Sequence, residues 1–173
     1  MNRAMLRDMR RAAARKKPAG RVCGPVAVNT MDMAKWRAAL VGEEGVQEIM
    51  SPLTAAYQTM REGLASHNDW ALLASAMNTA QAIEKLGVVR GVRHELRWAE
   101  LALQAVERRA MAPGNWCAPV VYAQELDDIH FGLHLHEFQI KRLSNGEMMQ
   151  AIAAAQAEVI GSGGRVLNQG LPA

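Results

Sequence analysis

The sequence NDWALLASAMNTAQAIEKLG, residues 68–87, predicts a helix, because it carries apolar side chains at helical spacing and ends in a glycine. Asn68 or Asp69 is the predicted first residue of this helix. The predicted inward stripe is centred near Ala80 and consists of Leu72, Leu73, Ala76, Met77, Ala80 and Ile83. The opposite side carries Asn78 among mostly small residues, which let a second helix approach closely. We therefore predict a helix sandwiched between neighbours, inside a bundle or at a dimer interface.

Similar patterns predict helices on both sides of this one. Thr30 is the predicted N-cap of a short first helix that ends before Gly42. A second helical stripe runs from Val46 to Leu64, and Ser51-Pro52 can restart the helix within it. Later helices are predicted over about 92–110 and 118–142, and Ser144 with Glu147 has the spacing of a capping box for the last one.

No segment has the alternation of a β-strand, so the predicted fold is all-α. We expect a compact bundle of five or six helices with a flexible basic N-terminal arm. The predicted organisation is a basic arm and extended connector over residues 1–28, a single helical domain over 29–161 and a flexible tail over 162–173.

The N-terminal arm is strongly cationic. Within residues 1–21 only Asp8 is acidic, against eight basic residues: Arg3, Arg7, Arg10, Arg11, Arg15, Lys16, Lys17 and Arg21. This segment therefore has a net charge of +7, while residues 22–173, with 12 basic and 16 acidic side chains, carry −4. Such asymmetry predicts that the arm binds an anionic partner, either nucleic acid or an acidic host protein. The alternative is a solubilising tail without a partner.

The predicted helix over 118–142 combines apolar and ionisable residues. Asp127, His130 and His134 fall on one edge of it, and two imidazoles four residues apart on a helix can bind one metal ion. A metal-dependent hydrolase is therefore one hypothesis, and a solvated edge with local ion pairs is the other. A second apolar stripe, which predicts that both faces of this helix are covered, consists of Val120, Phe131, Leu135 and Phe138.

Other function classes find little support in the sequence. No apolar run approaches the ~20 residues of a membrane span, and the basic N-terminus lacks the apolar stretch of a secretory signal. Cys23 and Cys117 have no CxxC partner, which favours reduced thiols in a cytoplasmic protein. Because no nucleophile, phosphate-binding loop or zinc motif is present, we expect neither an enzyme nor a bound cofactor.

Three segments resemble a family of functionally uncharacterised small helical proteins encoded by proteobacterial phages, prophages and plasmids. They are Arg15–Val28, Ala76–Ala80 and Leu135–Ile140, the last followed by Ser144 and Glu147. Family members carry an Ile-His-Asp-Ala-Gln-Leu-like string at the third segment, from which Glu137 and Phe138 depart. The resemblance covers most of the chain and implies an all-α accessory protein of a mobile element, without a known activity.

Asn78, His136 and Gln139 are polar residues within the segments that carry this resemblance. If their helices pack together, the three side chains form a core hydrogen-bond network or line a small pocket for an anionic, nucleotide-like molecule. The resemblance, the Met-rich composition and the small-residue side of the helix at 69–86 motivate the main alternative to nucleic-acid binding. It is a phage-encoded inhibitor or sponge, which blocks a host defence protein or sequesters a signalling nucleotide. This alternative predicts a homodimer, a higher homo-oligomer or a tight host complex.

Overall fold

The computed structural model describes residues 29–163 as a bundle of α-helices. Six helices lie in this part of the chain: α1 (Thr30–Ala38), α2 (Glu43–Arg61), α3 (His67–Leu86), α4 (Arg93–Met111), α5 (Ala123–Ile140) and α6 (Asn145–Gly161). No β-strand occurs among the described residues, so the predicted all-α bundle is confirmed. The predicted arm, residues 1–28, and residues 164–173 of the predicted tail lie outside the described residues.

Helix α3 is the centre of the bundle, because α2, α4, α5 and α6 all pack against it. Met77 and Ile83 are fully buried on the predicted inward stripe, and Ala74 and Ala82 are buried on the small-residue side. The prediction of a helix sandwiched within the bundle is therefore confirmed. Leu72 was wrongly assigned to the core: it is 39% exposed, since it lies at the edge of the stripe, about 80° from Ala80 at 100° per residue.

The first residues of α3 correct the sequence prediction. His67, rather than Asn68 or Asp69, is the first residue of α3, and the N-cap Ser66 forms a capping box with Asp69. The Asp69 backbone N–H donates to Ser66 Oγ at 3.3 Å, and the Ser66 N–H donates to Asp69 Oδ2 at 2.8 Å. The predicted capping box of the last helix is confirmed, because Ser144 and Glu147 make the same reciprocal pair at the start of α6.

Helix α2 is continuous from Glu43 to Arg61 and does not restart at Ser51-Pro52. Pro52 lacks the N–H that would bond the Glu48 carbonyl four residues earlier. Pro52 and Glu48 are both exposed, so water can replace the missing hydrogen bond to the Glu48 carbonyl and the helix continues without a break.

Helix α5 begins at Ala123 and ends at Ile140, and is therefore shorter than the predicted 118–142. Pro119 disfavours helical backbone at Ala118, and the Glu125 carboxylate accepts the Tyr122 N–H at the actual start. In the preceding connection, Trp116 Nε1 donates to the Ala65 carbonyl at 2.9 Å. This bond ties the connection to the segment before α3.

Helix α1 has no buried side chain, and backbone hydrogen bonds just after its end join the chain to the segment at the start of α6. The Val41 N–H donates to the Leu143 carbonyl at 2.9 Å, and the Asn145 N–H donates to the Ala39 carbonyl at 2.9 Å. Asn29, not the predicted Thr30, is the N-cap, because its side chain accepts the Met31 N–H. No helix within residues 29–163 combines the length and apolar character needed to cross a membrane.

Candidate functional site

The candidate site is a cleft of about 270 Å³ between α2 and α5. Its polar lining combines an aromatic hydroxyl, a guanidinium, two imidazoles and a carboxylate, from Tyr57, Arg61, His130, His134 and Glu137. This is the place where the structure puts the predicted histidine edge of α5.

The core-facing stripe of α5 determines which way these histidines point. Ile129, Leu133 and Ile140 are buried against the bundle, which leaves His130 and His134 exposed at the side of the helix that borders α2. From α2, Tyr57 stacks on the His130 ring, with centroids 5.2 Å apart and planes 20° from parallel.

The two imidazoles contact each other directly. His130 Nε2 and His134 Nε2 are 3.2 Å apart, and the rings meet edge to face with centroids 4.4 Å apart. This distance is short enough for a hydrogen bond in which one ring donates its proton to the other. It also places two nitrogens that can bind a metal within reach of one ion.

The charged groups around the pair do not complete the predicted three-ligand site. Asp127 is exposed one turn before His130, while Glu137 accepts a hydrogen bond from Lys141 Nζ at 2.6 Å. Among residues 29–163 no group of three or more His, Cys, Asp or Glu side chains is arranged to hold a metal ion. The hypothesis of a metal-dependent hydrolase at Asp127, His130 and His134 remains a prediction.

Tyr57 and Arg61 were not among the sequence-predicted site residues. The pKa of the Tyr57 hydroxyl is raised, mainly by burial. The Arg61 charge lowers this pKa in part, and the Asp127 charge adds to the increase. The sequence pattern placed Tyr57 in the apolar stripe of α2, whereas the side chain is half-buried at the cleft edge. Only the packing of α2 against α5 reveals its contact with His130.

His136 and Gln139, two members of the predicted polar set, are buried in the bundle interior. Gln139 Nε2 donates to the Ala80 carbonyl of α3 at 3.1 Å. Burial lowers the pKa of His136 to about 4, and the neighbouring Gln139 side chain offsets this in part. His136 Nδ1 and Gln139 Oε1 have no hydrogen-bond partner among the described residues.

Asn78, the third member of that set, lines a different part of the protein. It is half-buried in a groove of about 380 Å³ between α3 and α6, together with Thr79, Ile152 and Gln156. The structure thus brings His136 and Gln139 together in the core and places Asn78 in a groove at the surface.

The second apolar stripe of α5 remains largely exposed among the described residues, contrary to the expectation that both faces are covered. Phe131 is 52% exposed and Phe138 is 42% exposed. Trp98 of α4, also 51% exposed, immediately precedes Ala99, which faces Gly132 of α5. We call Trp98, Phe131, Leu135 and Phe138 the α4–α5 apolar face.

The eight basic residues of the arm lie outside the described residues, and the body they are attached to is acidic. Residues 29–163 contain 11 basic and 16 acidic side chains, a formal balance of −5. Comparison with protein-family models, with curated proteins and with solved structures gave no match.

Proposed function

We propose that this chain is a non-enzymatic accessory protein of a bacterial phage or other mobile element, and that it binds nucleic acid through its basic arm in the cytoplasm. The observation that carries the proposal is the charge asymmetry, +7 over residues 1–21 against −5 over residues 29–163. Cationic side chains that neutralise phosphates release condensed counterions, which is the main source of non-specific affinity for nucleic acid. An acidic body does not supply this affinity, so the arm is the segment expected to bind.

The proposal predicts a steep dependence of affinity on salt. If seven charges contact phosphates, raising the salt concentration from 50 to 200 mM weakens binding by roughly 10³–10⁴. Fluorescence anisotropy with labelled single-stranded and double-stranded DNA and RNA measures this slope. A slope near zero would exclude phosphate contacts by the arm.

A matched pair of full-length variants assigns the binding to the arm. The arm variant replaces Arg3, Arg7, Arg10 and Arg11 with glutamine, and the body variant makes the same change at four exposed positions, Lys35, Arg37, Arg93 and Arg108. Both variants lose four positive charges. We expect the arm variant to bind more weakly with a shallower salt slope, and the body variant to bind as the unaltered chain does. Equal losses in both would mean that only net charge matters.

The second candidate is an inhibitor or sponge that blocks a host defence protein or sequesters a signalling nucleotide. The observation that favours a protein target is the α4–α5 apolar face, because aromatic side chains are enriched at interaction surfaces. This candidate predicts a homo-oligomer or a tight complex in proteobacterial lysate. A chain that stays monomeric and partnerless in that lysate would count strongly against it.

A further inference from the structure

We propose that His130 and His134 form a two-imidazole binding site for a divalent first-row transition-metal ion, with Zn²⁺, Ni²⁺ and Cu²⁺ as the metals it accepts. This inference is independent of the arm, which contains none of the five histidines of the chain. It concerns binding of the ion and involves no catalytic step.

The separation of the two nitrogens matches the bite of one metal ion. Imidazole nitrogens bind zinc at about 2.0–2.1 Å, so two of them stand about 2.9 Å apart at a right angle and about 3.3 Å apart at the tetrahedral angle. The Nε2 atoms of His130 and His134 are 3.2 Å apart. A metal ion can therefore bind both rings with little rearrangement.

The surroundings hold the pair in this arrangement before any ion binds. Ile129 and Leu133 are buried next to the two histidines in sequence, which fixes the helix against the core. Stacking on Tyr57 restrains the His130 ring. A preorganised pair loses less side-chain entropy on binding than two free imidazoles do, which favours chelation.

The donor chemistry selects the class of metal. Two neutral imidazoles suit Zn²⁺, Ni²⁺ and Cu²⁺, whereas Mg²⁺ and Ca²⁺ require oxygen ligands. Both histidines are exposed, so water completes the coordination. The competing explanation is a simple N–H···N bond between the rings, which needs no metal and gives no affinity for one.

Two titrations of the full-length protein test the site. In NMR spectra that resolve the imidazole nitrogens, one equivalent of Zn²⁺ is expected to shift Nε2 of His130 and His134 together. By calorimetry with Ni²⁺, His130→Ala and His134→Ala are each expected to weaken binding at least about tenfold, since loss of even an outer partner of a metal ligand costs 10–100-fold. Both residues are exposed, so neither change disturbs the core.

His94→Ala is the matched control, because His94 is an exposed histidine whose Nε2 accepts from Trp98 Nε1 at 3.1 Å rather than facing a second imidazole. It is expected to leave Ni²⁺ affinity unchanged. Metal affinity that survives both His130→Ala and His134→Ala would overturn the proposal, as would a Zn²⁺-induced shift at only one of the two rings. Absence of binding up to millimolar Zn²⁺ and Ni²⁺ would overturn it as well.

Discussion

Acidification from pH 7 to pH 5 is expected to destabilise the protein through His136, and His136→Leu removes this contribution. His136 is buried beside Gln139, and its pKa is lowered from 6.5 to about 4 because burial penalises the charged imidazolium. Between pH 6.5 and 4, His136 therefore binds a proton in the unfolded chain and stays neutral in the folded state. The stabilising contribution is fully present above pH 6.5 and is lost as the pH falls toward 4.

The magnitude follows from the two pKa values. A difference of about 2.5 units corresponds to roughly 3 kcal/mol over the whole window, at 1.36 kcal/mol per unit. At pH 5 the unfolded imidazole is almost fully protonated and the folded one almost fully neutral. About 2 kcal/mol of the free energy of unfolding is therefore lost between pH 7 and pH 5 through this residue.

Urea unfolding at pH 7 and pH 5 measures the effect in the unaltered chain and in His136→Leu. Comparing the change within each protein cancels the constant effect of the substitution on packing. It also cancels Glu107, whose pKa burial raises and which acts in the opposite sense, because that residue is present in both. We expect the unaltered chain to lose about 2 kcal/mol more than the variant. An equal loss in both proteins would refute the assignment of His136 as a buried neutral imidazole.

Substitutions at three further positions test the packing of the core and one helix cap. Gly132→Ala places a Cβ atom 2.6 Å from Ala99 Cβ. We expect this overpacking to outweigh the gain in helix propensity and to lower the free energy of urea unfolding by about 1–2 kcal/mol. A more stable variant would contradict this close approach. Gln139→Leu loses the hydrogen bond to Ala80 but also removes the unpaired Oε1, so its free energy of unfolding stays within about 1 kcal/mol of that of the unaltered chain. Gln139→Ala leaves a cavity as well, which lowers the free energy of unfolding by at least about 2 kcal/mol. Equal losses of at least about 2 kcal/mol in both variants would show that the amide bond dominates. Ser144→Ala removes the α6 cap and lowers the free energy of unfolding by about 1 kcal/mol. An unchanged thermal unfolding temperature would show that the cap does not stabilise the protein.

Local periodicity was sufficient to predict the helices and most of their buried sides. In the helix predicted over about 92–110, Leu96, Leu103 and Val106 share one face and are buried, because a helix face depends only on neighbours three and four residues away. Helix starts were less predictable. Asn68 and Asp69 are both favourable N-cap residues, and only the reciprocal bonds of the capping box identify Ser66 as the cap.

The candidate site was only half predictable, because it joins two helices that are distant in sequence. The spacing of His130 and His134 on one helix is a local property, and in the structure their Nε2 atoms are 3.2 Å apart. The Tyr57 contact depends on how α2 packs against α5, which no spacing within either helix encodes. Likewise, spacing alone could not show that the chain leaves Phe131 and Phe138 exposed, since this depends on which partner helices are present.

Salt-titrated binding of labelled DNA and RNA to the full chain and to a chain that starts at Val22 tests whether the basic arm binds nucleic acid. We expect binding by the full chain that weakens by roughly 10³–10⁴ between 50 and 200 mM salt, and no such binding by the shorter chain. Undiminished binding by the shorter chain would contradict the role of the arm. Absence of binding by the full chain near physiological salt would contradict nucleic acid as the partner.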